Sequence, residues 1–119
     1  MTEVLIIDPE SIENLRALNP GDNDEFLREI AGIFFEDTPL RLAELDQSLA
    51  DGDATRFTRA AHSIKGSSSN LGAMALRAAA EKLEHRARSA GLGEVTALLA
   101  EVKAEFTRAH TALTSVLAK

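Results

Sequence analysis

Apolar residues in this chain recur at helical spacing, and short clusters of turn-forming residues interrupt them. The interruptions fall at Asp8-Pro9, Asn19-Pro20-Gly21, Asp51-Gly52-Asp53, Leu71-Gly72 and Gly91-Leu92-Gly93. Pro9 to Leu18 reads as a short helix, with Asp8 placed to cap it and Pro9 at its first position. A long helix is predicted from about Asp24 to Leu49, capped by Asp22 or Asn23, with Leu27, Ile30, Phe34, Leu42, Leu45 and Leu49 at helical spacing. Pro39 lies inside it and removes a backbone donor, which predicts a kink or tightened turn, with a break into two helices as the alternative. A third helix is predicted from Asp53 or Ala54 to Asn70, and an Ala-rich fourth from Ala73 to Ala90. The last spans Glu94 to Leu117 and carries one stripe of Val95, Leu98, Leu99, Val102, Phe106, Leu113 and Val116. Val4 to Ile7 is apolar enough to be extended, but no alternation of strand and helix follows it. The expected fold is all-α: an antiparallel up-down-up-down four-helix bundle with a short additional N-terminal helix across one end.

Composition narrows the class further. A length of 119 residues suits a single domain over 1–119. With 5 Phe and no Trp or Tyr, the core must come from Leu, Ile, Val, Ala and a few Phe. The net charge of -6 argues against nucleic acid, whose phosphates call for clustered Lys and Arg. Having no Cys excludes disulfides, thiolate chemistry and Cys-based zinc sites. Met1-Thr2-Glu3 lacks a basic leader region, the run Val4 to Ile7 is too short for a signal core, and no stretch is long enough to span a membrane. The expectation is a cytoplasmic protein, monomeric because the bundle closes its own core.

The candidate chemistry lies on the third helix. At about 100° per residue, Thr55, Thr58, Arg59, Lys65, Gly66 and Ser69 share the side of His62. Phe57, Ala60, Ile64, Ser67, Ser68 and Leu71 take the opposite, packed side. His62 is therefore displayed on a polar face. A lone surface histidine is ordinarily without a role, so its neighbours decide. Lys65 lies one turn on, within reach of a group bonded to the imidazole. Gly66 stacks beside His62, and a mid-helix Gly costs roughly 1 kcal/mol relative to Ala. Its use would be to clear an approach to the ring. Alternatively, the run Gly66 to Asn70 ends the helix early.

The stretch Ala61-His62-Ser63-Ile64-Lys65-Gly66-Ser67-Ser68-Ser69-Asn70-Leu71-Gly72-Ala73 resembles the phosphorylation motif of histidine-containing phosphotransfer (HPt) domains: His, any residue, an aliphatic, Lys, Gly, two small residues, then a downstream aliphatic-Gly. The likeness extends from about Ile7 to Leu117, through Phe34, Thr38-Pro39, Leu42 and Leu45, Leu83-Glu84, and Val102 with Phe106. The resemblance implies a phosphocarrier without kinase activity of its own. His62 would accept and donate a phosphoryl group, Lys65 would offset its charge, and Gly66 would give a receiver domain room to dock. Glu84, where many members have Gln, would accept a hydrogen bond from the His62 ring. The implied partners are receiver domains of response regulators and hybrid histidine kinases, with Mg²⁺ on the receiver and no cofactor on this chain. Ile12, Leu15 and residues near Phe35 are docking candidates, or else pack the bundle end.

Three other readings compete. The phosphoacceptor helix of a sensor kinase predicts an acidic residue after the His and a Pro soon after, whereas Ser63 follows His62 and no Pro follows at all. The phosphotransfer domain of a larger chemotaxis-type kinase shares the motif. A phosphate-independent helical binding module is the third possibility, weakened by the intact His62, Lys65 and Gly66. Glu81 and His85 have metal-ligand spacing, but the other helices show no matching Glu-x-x-His, so a solvated face is expected for Glu81, Lys82, His85, Arg86 and Arg88. His110 is expected to be exposed and ordinary.

Overall fold

In a computed structural model, residues 5–118 are described. They form α1 (Pro9–Leu18), α2 (Glu25–Asp51), α3 (Ala54–Leu71), α4 (Met74–Ala90), a 3-10 turn (Gly91–Glu94) and α5 (Thr96–Leu117). Helix α2 packs on α3 and α5, and α4 packs on the same two, so four antiparallel helices close a ring around one core. No strand occurs among the described residues, and Leu5 to Ile7 is irregular. Val4 lies outside them. No helix among them is long and apolar enough to cross a membrane.

The core is built from Leu27, Phe34, Leu45, Phe57, Ile64, Leu71, Leu76, Leu83, Val102 and Leu113, with Ala31, Ala60, Ala61, Ala79 and Ala80 between them. The buried alanines let α3 and α4 approach closely, and this hairpin forms the platform for His62. Helix α5 buries Leu99, Val102, Ala109 and Leu113, its N-cap Val95 is buried too, and the helix half-buries Leu98, Phe106 and Val116.

Pro39 neither breaks α2 nor splits it, since the helix runs unbroken from Glu25 to Asp51. Pro39 is exposed, while Phe34, Thr38 and Leu45 around it are buried. The packed side holds the helix together, and the proline itself lies on the exposed side. Before α2, Asp22 caps by accepting a bond from the Phe26 N–H at 2.9 Å. Asn23 and Asp24 adopt left-handed φ of 58° and 63°, and Arg16 grips both Asp24 oxygens at 3.1 and 3.2 Å.

Helix α1 seats on the α3–α4 turn. Asp8 caps it by accepting from the Glu10 N–H at 3.1 Å, and the Asp8 N–H donates to the Gly72 carbonyl at 2.8 Å. Gly72 has φ 73°, and the Ala73 N–H closes back on the Ser68 carbonyl at 2.8 Å to end α3. A Cβ at Gly72 would stand 2.5 Å from Ser11 Cβ. The Leu71-Gly72 pair thus turns the chain and receives α1. Ile12 is 3% exposed and belongs to the core, which removes it as a docking residue, and Leu15 is half-buried.

Candidate functional site

Helix α3 does not end at the Gly66 to Asn70 run. It continues to Leu71, with the Ser67 and Ser68 hydroxyls donating back to the Ile64 carbonyl at 3.2 and 2.6 Å. With Phe57, Ala60, Ala61, Ile64 and Ser68 buried, the opposite side of α3 displays His62 near mid-helix. The His62 side chain is 60% exposed.

His62 is fixed from α4. Its Nδ1–H donates to Glu84 Oε2 at 2.9 Å. A carboxylate can only accept, so Nδ1 carries the proton and Nε2 holds the free lone pair. The Glu84 side chain is 4% exposed, which would be costly for an unpaired charge. It is not unpaired. Lys65 Nζ lies 3.2 Å from Oε1, and Arg88 lies 2.8 Å from the same Oε2 that takes His62. Burial pushes the Glu84 carboxyl up, but hydrogen bonds from Lys65 and His62, aided by their charges, outweigh it and hold the group below its usual range. Glu84 is a buried, ionised anchor with both oxygens occupied.

The structure therefore brings His62, Lys65 and Glu84 together. Lys65 reaches Glu84 rather than the ring itself and is 26% exposed. Gly66 is on the exposed face beside His62, and a Cβ added there would meet nothing within 4 Å. No internal contact requires a glycine, so the open space is available to another molecule.

Arg88 was expected only on a solvated face. It is 64% exposed, yet its guanidinium touches Glu84. The signal was the four-residue spacing from Glu84 to Arg88, which places the two on one helix face. Glu81 and His85 are exposed, and among the described residues no three His, Cys, Asp or Glu side chains converge as metal ligands. His110 is exposed, but its ring lies 4.2 Å from that of Phe35, which accounts for that half-buried Phe. The large apolar side chains left in solvent are instead Leu5, Ile6, Leu18, Ile33 and Leu40.

Comparison with known proteins places the chain among its relatives. Residues 29–112 match the family model described as Hpt domain. Over 80 residues, 67% of the chain, it is 28% identical to multistep phosphorelay regulator 1 of Schizosaccharomyces pombe, of which this covers 27%. Over 71 residues, 58% of the chain, it is 31% identical to histidine-containing phosphotransfer protein 4 of Arabidopsis thaliana, of which this covers 56%. The chain thus spans little more than half of one curated relative and about a quarter of the other. The crystal structure of histidine-containing phosphotransfer protein B (HptB) from Pseudomonas aeruginosa PAO1 superposes with a TM-score of 0.83 at 28% identity, covering 98% of this chain and 97% of that one.

Proposed function

The chain belongs to the Hpt domain family, and from that premise we propose that it carries a phosphoryl group on His62 between aspartates of receiver domains in a two-component phosphorelay. The observation that supports this reading most directly is a solvent-facing imidazole whose Nδ1 is tied to a buried, ionised carboxylate at 2.9 Å.

In the forward step His62 Nε2 attacks the phosphorus of a receiver's aspartyl phosphate. The Nε2–P bond forms as the P–O bond breaks, and the aspartate leaves with the electron pair. The proton stays on Nδ1, so the phosphorylated ring carries a positive charge beside the Glu84 anion. Lys65, together with the hydrogen bond from His62, keeps that anion ionised. In the return step an incoming aspartate attacks phosphorus, the Nε2–P bond breaks, and the ring recovers its lone pair as a neutral leaving group. Such transfer is mostly positioning and charge stabilisation in line. The chain positions the nucleophile, and Gly66 leaves its approach open.

The donor set around His62 does not fit a divalent cation. Arg59, Lys65 and Arg88 surround it, and both Glu84 oxygens are engaged. In this reading Mg²⁺ and its acidic ligands belong to the receiver, and the chain is a monomeric carrier with neither kinase activity nor nucleic acid as a partner. Mixing the protein with a panel of phosphorylated receiver domains tests the reading: label is expected to move onto it without ATP, and ATP alone is expected to give none. Labelling from ATP alone would contradict the carrier role. No label from any receiver would favour the phosphate-independent binding module.

A further inference from the structure

Helix α2 is unbroken, but its two halves are held differently. After Pro39 it is fastened by charge to both neighbours. Glu44 and Asp51 lie 3.9 and 3.8 Å from Arg56 of α3, and Asp46 takes Lys103 of α5 at 2.8 Å. Before Pro39, Glu25, Arg28, Glu29 and Glu36 make no ion pair among the described residues, and Asp37 pairs with Arg41 of the same helix. The Arg16–Asp24 pair ties the start of this half to α1, not to α3 or α5. What holds it against the bundle is apolar packing of Leu27, Ala31 and Phe34.

The boundary between the halves coincides with a gap in hydrogen bonding. Pro39 has no N–H, so the Phe35 carbonyl lacks the donor that position 39 supplies in a regular helix. One residue earlier, Thr38 is 0% exposed and its hydroxyl has no hydrogen-bond partner among the described residues. Thr58, Thr107 and Thr114 each donate to the carbonyl four residues back, at 2.8, 3.2 and 2.8 Å. Thr38 does not. A buried hydroxyl without a partner destabilises the closed helix relative to any state in which water reaches it.

The half before Pro39 also borders the face of His62. Ile30, Ile33 and Asp37 line a groove of about 130 Å³ with Ser67 and Asn70, on the stretch of α3 that follows Gly66. We propose that α2 carries a joint at Thr38–Pro39, about which Glu25–Asp37 opens from the bundle as a unit while the half after Pro39 stays packed. Its use rests on the phosphocarrier reading: opening lets the surface beside His62 adapt to a docking receiver.

Amide hydrogen exchange of the full chain, read residue by residue by NMR, tests the joint. The amides of Ala31 and Phe34 are expected to exchange faster than those of Leu45 and Ser48, although all four side chains are buried. Thr38→Val keeps the branched shape and removes the orphan hydroxyl, which changes an opening equilibrium by at least about fivefold. Exchange at Ala31 and Phe34 is expected to slow by that factor. Pro39→Ala restores the missing donor and is expected to slow it as well. Leu49→Ala truncates a half-buried side chain in the other half. It is expected to speed exchange at Leu45 and Ser48 about fivefold and to leave Ala31 and Phe34 as they were. Circular dichroism checks each fold. If Leu49→Ala speeds both pairs alike, or Thr38→Val leaves Ala31 and Phe34 unchanged, α2 opens as one piece and the joint is overturned. Transfer from a phosphorylated receiver is expected to slow in Thr38→Val by up to the same factor. Unchanged transfer with slowed exchange overturns the joint's part in docking. A chain that exchanges as described but that no receiver labels overturns the carrier reading and leaves the joint.

Discussion

Replacing Gly66 separates what the helix wants from what the site needs. Glycine inside a helix costs about 0.5–1 kcal/mol relative to alanine. A Cβ at Gly66 meets nothing within 4 Å, so no steric cost offsets that gain. Gly66→Ala is therefore expected to stabilise the isolated protein by about 0.5–1 kcal/mol, raising the thermal midpoint by roughly 2–5 °C for a domain of this size. Gly66→Gln is expected to fold equally well, since its longer side chain extends into the same open space. Transfer should move the other way. A side chain beside His62 holds an incoming receiver off the ring, and a misplacement of about 1 Å can cost on the order of 10²-fold in rate. Phosphoryl transfer from a labelled receiver, followed by rapid quench, is expected to slow in Gly66→Ala and to slow more in Gly66→Gln. Wild-type transfer rates in a normally helical Gly66→Gln would refute the access argument. A lowered melting midpoint in Gly66→Ala would refute the claim that the space is empty.

Other perturbations read the supporting structure. Glu84 is held ionised below its unfolded value of 4.5, so its contribution to stability is fully present above that value and is lost as pH falls through the lower folded value. Denaturant titrations of the wild type and Glu84→Gln are expected to differ most above pH 4.5 and to converge on further acidification; a gap that widens in acid would reverse the assignment. Gly72→Ala meets both a left-handed backbone, worth about 1–2 kcal/mol, and a Cβ placed 2.5 Å from Ser11. It is expected to lose at least about 1 kcal/mol in urea, and a loss smaller than about half of that would place α1 elsewhere than on the α3–α4 turn.

Most of the helical frame was legible because each boundary carries its own chemistry. Asp8-Pro9 starts α1, Asp53 starts α3, and Gly52 and Gly72 end α2 and α3 in left-handed conformation. Pro39 left a break into two helices open because local propensity speaks only of a missing donor. Packing of Phe34, Thr38 and Leu45 on the inner side decides that α2 continues. Glu105 interrupts the expected apolar stripe of α5, is buried, and is paired with Arg108. At the site, the exposure of His62 followed from its helical face alone. The contact with Glu84 rested on family resemblance, since nothing local to His62 specifies which α4 residue lies across from it. Arg88 was missed because its exposure and its contact with a buried acid coexist in one long side chain. Ile12 looked available for docking because its burial depends on how α1 seats against the bundle, which residue spacing within α1 does not reveal.

The most direct measurement is phosphoryl transfer from a labelled receiver domain to the wild-type chain and to His62→Gln, with both shown to be folded. Glu84, Lys65 and Arg88 remain in the variant, so only the nucleophile is lost. The account predicts acid-labile, alkali-stable label on the wild type, as expected for a phosphorus–nitrogen bond, and none on His62→Gln. Equal labelling of a folded His62→Gln, or label stable in acid, would place the phosphoryl group on another residue and contradict the central claim.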